Sequence, residues 1–524
     1  MLKTRNNGEK KHGQAPLMGS DGKSAKNVKK ASVSRRTDLG RRAVVDIGSN
    51  SVRLVVYDGP PRAPIPICNE KALCGLGRDM TEAGGLNPAA VTDALATLAR
   101  FRHVLDDLGR PPVIVIATAA VREAKDGKKF VEAAKALGFD VTVVSGEEEG
   151  TLAAYGVVAV EPQATGLVGD MGGGSLELAM LDKGDIKESI SLPIGPFNLM
   201  RLNAEPAAIT KHIEDHIDSV KFLKPKNIDT LYSVGGAWRA IARIHMGLRS
   251  YPLSVLHHYE MTSAQTLEVC DLISRQSRRS LEEIPGIPRR RIDTLPLAST
   301  VLRTVVTRVK AKRIIISAGG VREGLLYRQL SKKERALDPF IEACRFYANR
   351  LAPDPAFGEA AFKVIEPLFA GGAGADDRLR YGACLLSDIG AYFHPDLRGR
   401  HAFDTALRAP FVGVSHAERL WTALALFRRH QGRSAPPPDE LAMALLPWEA
   451  QLQATQFGLA LRFIAAIAPK TPSALEGCRL EKRGNEIAFV APSDREALMG
   501  ETPRRRFVSL AAAFEADAAE VYED

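Results

Sequence analysis

Apolar and polar positions follow two regimes along the chain. Up to about residue 330, short β-branched runs alternate with stretches of helical spacing. "AVVDI" and "VRLVVYD", between Ala43 and Asp58, read as two strands joined by Gly48, Ser49, Asn50 and Ser51. "GLVGD" and "LELAML" repeat that plan around Gly172, Gly173, Gly174 and Ser175. Between them, "AAVTDALATLARFRHVLDDLG" and "DGKKFVEAAKALG" have helical spacing, and "PVIVIATA" and "DVTVVSG" read as strands. Further on, the strands "TLYSVGG" and "RIIISAGG" alternate with the helices "ITKHIEDHIDSVKFL" and "TSAQTLEVCDLISRQ". Such alternation predicts layered α/β domains.

From Ser331 the pattern is nearly all helical, in "ERALDPFIEACRFYANRL", "FGEAAFKVIEPLF", "HAERLWTALALFRRH" and "ELAMALLPWEAQLQATQFGLALRFIAAIA", with "RSAPPPDE" breaking two of the helices. Trp421, Trp448 and Phe457 are expected in the core. "CRLEKRGNEIAFVAP" reads as a hairpin, and "RRRFVSLAAAFEADAAEV" as a basic patch followed by a helix. Arg504, Arg505 and Arg506 read as a solvated charge run, with polyanion contact as the alternative.

The two glycine-rich turns carry the chemistry. Asp46 closes the strand before the first and Asp170 the strand before the second, 124 residues apart. That is one α/β domain's length, which suggests a duplication. Small residues leave backbone N–H groups bare to cradle phosphate oxygens, and an Asp beside each turn suits Mg2+, directly or through water. "SGEEEG" opens a helix: Ser145 and Glu148 have capping-box spacing, which accounts for Glu148 and leaves Glu149 unexplained. A carboxylate beside phosphates has a raised pKa and suits a general base. Acidity at a helix N-terminus accounts for the cluster equally well. Glu177 shares a strand face with Ser175, within reach of metal or water. Arg122 either clamps a phosphate or pairs with Glu123 or Asp126.

Composition narrows the class. The 524 residues are 45% hydrophobic and 25% charged, the balance of a globular protein with room for about three domains. No apolar run reaches membrane-spanning length, and the first 40 residues lack the apolar stretch of a secretory signal. Lys and Arg number 71 and Asp and Glu 62; 12 of the former and 3 of the latter lie in residues 1–42, leaving 59 of each. The net charge of +9 therefore belongs to residues 1–42, and the tail within it, residues 1–40, has a composition that predicts disorder. A solvated extension is the favoured reading of it, and an arm for polyanion, nucleic acid or membrane the alternative. Six scattered cysteines without a CxxC pair point to reduced thiols in the cytoplasm.

Taken in order, "VVDIGSNSVRLVVYDG", "ATAAVREA", "VVSGEEEGTLAAYGV", "DMGGGSLEL", "RRRIDTLPLAS" and "SAGGVREGLLY" resemble the exopolyphosphatase / guanosine pentaphosphate phosphatase (Ppx/GppA) family, strongly over residues 41–330. The resemblance implies duplicated ribonuclease-H-like domains of the actin-like ATPase fold, at 41–158 and 159–330. A mostly helical, degenerate HD-like region at 331–470 and a small α/β segment at 471–524 would follow. It implies hydrolysis of the terminal phosphoanhydride of inorganic polyphosphate with Mg2+, in a homodimer that engages neither membrane nor specific nucleic acid. Its general base falls on Glu149 and its metal-associated carboxylates on Asp46, Asp170 and Glu177. Its phosphate contacts fall on Gly48, Ser49, Asn50, Ser51, Arg53, Arg122, Gly172, Gly173, Gly174 and Ser175.

There are departures. The third turn, "VGGAWRAIARI", carries Ala237 where the superfamily often has Thr, which weakens nucleotide contact by Gly235 and Gly236. Ser387 stands where a His-Asp pair would need its histidine; Asp388, His394 and His401 remain. The segment reads as structural or polyphosphate-guiding, and His394, His401 and His416 as surface or core histidines. Rival readings are a guanosine pentaphosphate phosphohydrolase using the same residues, an actin-fold kinase, and a non-catalytic sensor of polyphosphate or alarmone.

Overall fold

The computed structural model describes residues 40–78, 84–224, 228–284, 291–370 and 377–524. The basic tail, apart from Gly40, lies outside the described residues.

Two mixed sheets repeat one plan. The first contains β1 (Arg42–Ile47), β2 (Val52–Asp58), β3 (Ile65–Ala72), β4 (Val113–Ala117) and β5 (Val141–Val143), in the order β3-β2-β1-β4-β5. The second contains β6 (Gly166–Met171), β7 (Leu176–Asp182), β8 (Asp185–Leu192), β9 (Thr230–Val234), β10 (Glu260–Thr262) and β11 (Arg313–Ile316). Read from β8, its order is β8-β7-β6-β9-β11, with β10 added at the far edge. In each sheet the first three strands form an antiparallel meander and the next two run parallel to the first. β1, β6, β9 and β11 are nearly continuous apolar runs because helices or other strands cover both faces.

Helices join the halves. Helix Gly146–Val160 and helix Val321–Arg328 cross at backbone contact. A Cβ on Gly156 would sit 2.1 Å from the Gly320 carbonyl oxygen, and one on Gly324 1.8 Å from that of Leu152. Glycine at these positions is a requirement of approach, not of backbone freedom. The helices run antiparallel through this contact, and Glu149 from the first turn of one and Arg322 from the first turn of the other both line one cleft.

Beyond Ser331 the chain is helical and ends in a three-stranded sheet of β12 (Arg479–Arg483), β13 (Glu486–Pro492) and β14 (Asp517–Glu523). One apolar core runs through helices and sheet alike; Phe463 packs on both Phe489 and Phe507. Two expectations change here. The Arg504–Arg506 triplet lies inside helix Glu501–Ala513, and the segment after it is β14, parallel to β13, because the ladder outweighs its Ala- and Glu-rich helix propensity. Trp421 and Phe457 are core, but Trp448 opens its helix 70% exposed. Among the described residues, no helix is long and apolar enough to cross a membrane.

Candidate active site

The two glycine-rich turns match in geometry. Gly48 N–H donates to Ser51 O and Gly172 N–H to Ser175 O, each at 3.0 Å. Surrounding loops hold their carbonyls: Ser49 O accepts from Gly77 N–H at 2.8 Å, Gly173 O from Phe197 N–H at 2.8 Å, and Gly174 O from both Gly195 N–H and Asn198 Nδ2. The N–H groups of Ser49, Asn50, Gly173 and Gly174 have no acceptor among the described residues. The turns are thus clamped by their carbonyls with amides left over, the arrangement that binds an anion. Both line one cleft.

A third turn closes that cleft. Gly235 has φ +95°, and a Cβ on it would stand 2.5 Å from Met171 O. The guanidinium of Arg291 lies over Gly236, 2.1 Å from where a Cβ would be. Arg291, Arg53, Lys71, Arg239 and Arg322 all line the cleft. Burial lowers the Lys71 pKa to about 8, with Arg291, Arg53 and Arg322 adding repulsion. Burial likewise lowers Arg53 to about 10, helped by Arg322. Cations crowded at this cost favour an anion in the cleft.

The acids are positioned by register. Asp46 pairs across the β1–β2 ladder with Arg53, and Asp170 across the β6–β7 ladder with Glu177. Equivalent positions thus carry an arginine in the first half and a glutamate in the second. Asp46 Oδ2 accepts from Arg322 Nη1 at 3.1 Å. Burial works against the Arg322 charge, but Glu323 and Asp46 outweigh it and raise its pKa. Glu323 in turn accepts from Tyr57 Oη at 2.7 Å and from Gly320 N–H at 3.0 Å, which fixes the start of Arg322's helix. Asp170 is pushed up to about 6 by burial, with Asp46 adding to it against Arg239. Glu177, buried and hydrogen-bonded by Ser191 Oγ at 2.9 Å, is pushed up to about 7 by burial and by Asp170.

Glu149 sits in the first turn of its helix. Ser145 Oγ caps that helix through Glu148 N–H at 3.0 Å. The Glu148 carboxylate instead reaches Arg328 Nη1 at 2.8 Å, so only half of the expected capping box forms. Glu149 lines the cleft with Oε2 buried and without a hydrogen-bond partner. Burial raises its pKa well above the usual carboxylate range, and Glu177, Asp170 and Asp46 add to the shift. The nearest cation is Arg122, at 3.6 Å.

Of the residues singled out from sequence, Asp46, Gly48, Ser49, Asn50, Ser51, Arg53, Glu149, Asp170, Gly172, Gly173, Gly174 and Ser175 line the cleft. Two do not. Glu177 stands behind Asp170, and Arg122 lines a second cavity, because Val144 O at 2.9 Å and the carboxylates of Glu123 and Glu149 hold its guanidinium there. Sequence reasoning missed Lys71, Arg239, Arg291 and Arg322. Arg239 follows the third glycine turn and Arg322 the fourth, "AGGVR", so position after a turn was the available signal.

The donors suit Mg2+ better than a metal that needs a protein cage. Among the described residues, no three His, Cys, Asp or Glu side chains gather as a metal-ion cluster. Mg2+ is usually held by one or two carboxylates, with water and substrate phosphates completing its shell. Asp170, buried with Asp46 near it, is the carboxylate placed for such a role.

Comparison with known proteins agrees with this geometry. A model of the Ppx/GppA phosphatase family matches residues 39–333, and one of the exopolyphosphatase C-terminal region matches 370–518. Retrograde regulation protein 2 of Saccharomyces cerevisiae is 27% identical over 441 residues, 76% of this chain and 74% of the yeast one. Guanosine-5'-triphosphate,3'-diphosphate pyrophosphatase of Vibrio atlanticus is 23% identical over 419 residues, 77% of this chain and 83% of its own. The crystal structure of an exopolyphosphatase from Cytophaga hutchinsonii superposes with a TM-score of 0.51 at 25% identity, covering 55% of this chain and 96% of that one. With its paired sheets, its two clamped turns and a family model matched over more than half its length, the chain belongs to the Ppx/GppA phosphatase family.

Proposed function

We propose that this phosphatase hydrolyses the terminal phosphoanhydride of inorganic polyphosphate, releasing orthophosphate. The observation that carries the reading is the cleft's division of charge: bare amides and five cations, Arg53, Lys71, Arg239, Arg291 and Arg322, beside an unpartnered buried carboxylate. A chain of phosphates neutralises cations that otherwise repel one another. The amides of Ser49, Asn50, Gly173 and Gly174 hold its end, with donors fixed before the reaction begins. Glu149, its pKa raised, takes the proton of a water attacking in line with the leaving phosphate. Arg322, held by Glu323 and Asp46, offsets charge developing on the phosphoryl oxygens. Mg2+, held by Asp170 with Asp46, would polarise those oxygens.

A second reading has support of its own. The Vibrio relative's name specifies a guanosine substrate, and it matches 77% of this chain. Arg291 covering Gly236 favours polyphosphate over that nucleotide, because it fills the third turn. The yeast relative's name describes regulation; the complete acid set weighs against a purely sensing role here. Phosphate release from long-chain polyphosphate and from guanosine pentaphosphate, measured side by side with Mg2+ and with chelator, tests the reading. Faster Mg2+-dependent turnover of polyphosphate supports it, and preference for the nucleotide replaces it with the second.

A further inference from the structure

Arg239 enters the cleft from the first turn of helix Gly236–Leu248. Among the described residues, only backbone carbonyls hold its side chain there. Its Nε donates to Ser317 O at 3.1 Å and its Nη2 to Ala318 O at 3.2 Å. Burial lowers its pKa, with Arg322 adding repulsion against Glu323 and Asp170. The two carbonyls belong to the turn between β11 and the helix that carries Arg322. We propose that His257 is a positioning residue for Arg239: it fixes the turn whose carbonyls aim that guanidinium at the substrate's phosphates. The proposal rests on the hydrolase reading above.

His257 Nδ1 accepts from Ala318 N–H at 3.2 Å. A backbone N–H only donates, so the ring is neutral with its proton on Nε2. Burial keeps it so, with His258, Arg419, His416 and Arg239 opposing a second proton. Ala318 N–H and Ser317 C=O belong to one planar trans peptide unit and point in opposite directions. His257 therefore grips one edge of the plane whose other edge receives Arg239 Nε. The flanking bonds, Ser317 N–H to Ser233 O at 3.0 Å and Ser317 Oγ to Gly319 O at 2.9 Å, hold the neighbouring peptide units and leave this one to His257.

Packing alone does not account for a histidine here. The residue is 8% exposed, and its Nε2 is buried without a hydrogen-bond partner. An apolar side chain would fill the space without the cost of that unpaired atom, so what histidine adds is the acceptor for Ala318. Its backbone is braced from three sides. His416, which opens helix His416–Gln431 in the C-terminal half, donates from Nε2 to His257 O at 3.0 Å, and its Nδ1 accepts from Tyr251 Oη at 2.8 Å. His258, left-handed at φ +65°, donates its N–H to Ile316 O at 2.8 Å. Its Nε2 lies 3.2 Å from Glu161 Oε2, at the end of the helix that carries Glu149. Burial works against the His258 charge, but Glu161 outweighs it and raises the pKa. The loop thus ties the C-terminal half, the Glu149 helix and the turn that holds Arg239 at one point.

A double-mutant cycle on the full chain, read as phosphate release from long-chain polyphosphate with Mg2+, tests the role. Arg239→Ala should raise KM about tenfold by removing a charged phosphate contact. His257→Leu should raise KM about fivefold, with kcat changed by less than about twofold and the melting temperature not lowered. His257→Asn, whose Oδ1 can take the Ala318 N–H, should return KM to within about twofold of the wild type. In the Arg239→Ala background, His257→Leu should add less than about twofold, because its effect passes through the arginine already removed. Loss of folding in His257→Leu, an unchanged KM in the folded variant, a full further rise on top of Arg239→Ala, or a His257→Asn as impaired as His257→Leu overturns the assignment. A wild-type chain that releases no phosphate from polyphosphate overturns the hydrolase reading and the assignment with it.

Discussion

Glu149 in the cleft and Asp388 in the helical C-terminal half each have a carboxylate oxygen buried without a hydrogen-bond partner, yet their counter-ions differ. Asp388 is 4% exposed and ion-paired directly with Arg429, with Arg398 close enough to repel that guanidinium. Glu149 lies among Glu177, Asp170 and Asp46, with its nearest cation 3.6 Å away and bound elsewhere. The remaining histidines of the C-terminal half serve packing or solvent. His401 stacks on Phe393, His416 is hydrogen-bonded to Tyr251 and to His257 O, and His394 is largely exposed. Beside Ser387, Arg429 serves as the counter-ion of Asp388. Asp388 has a direct counter-ion and belongs to the scaffold; Glu149, 3.6 Å from its nearest cation and among three other carboxylates, keeps a capacity for a proton.

The largest effect expected is on Glu149. Glu149→Gln should lower kcat by about 10³-fold while leaving the melting temperature unchanged or raised, because it removes an unpaired buried carboxylate. Asp388→Ala should do the reverse. It strands Arg429, costing about 3 kcal/mol in denaturation experiments, with activity per folded molecule intact; adding Arg429→Met should restore part of the loss. Arg322→Ala should lower kcat by about 10²-fold in steady-state assays, by removing the cation that Asp46 and Glu323 hold at the cleft.

The smallest effect sharpens the comparison by pH. His416 is pushed down to about 4 by burial, with Arg419 and His258 adding repulsion. Burial also places His257 well below its ordinary value and His430 at about 2. The unfolded chain binds these protons near pH 6.5 and the folded chain does not, so the stability these histidines contribute is full above pH 6.5 and is lost as pH drops towards 4. His416→Gln should flatten that fall by about 2 kcal/mol in denaturant titrations at pH 7 and pH 4.5.

How much was legible depended on whether a residue's role was local. The paired turns could be read because strand, small residues, acid and strand lie within a dozen positions, and backbone geometry fixes what they do. Glu149 could be separated from its neighbours because Ser145 accounts for only one helical position. Lys71, Arg239, Arg291 and Arg322 could not be placed, since they converge from four elements and nothing in "CNEKALC" or "RRRID" says which strand or turn it will face. Arg122 lines the second cavity, because proximity to a strand end does not choose between two cavities. The segment after Arg506 was read as one helix; the helix holds to Ala513, and the parallel pairing of β14 with β13 corrects the rest.

Phosphate release from long-chain polyphosphate with Mg2+, measured for Glu149→Gln and Asp388→Ala on preparations whose folded fraction is known, tests the central claim most directly. The account predicts that Glu149→Gln is folded and nearly inactive, and that Asp388→Ala is less stable but turns over normally per folded molecule. Full activity in Glu149→Gln, or loss of turnover in fully folded Asp388→Ala, would contradict it.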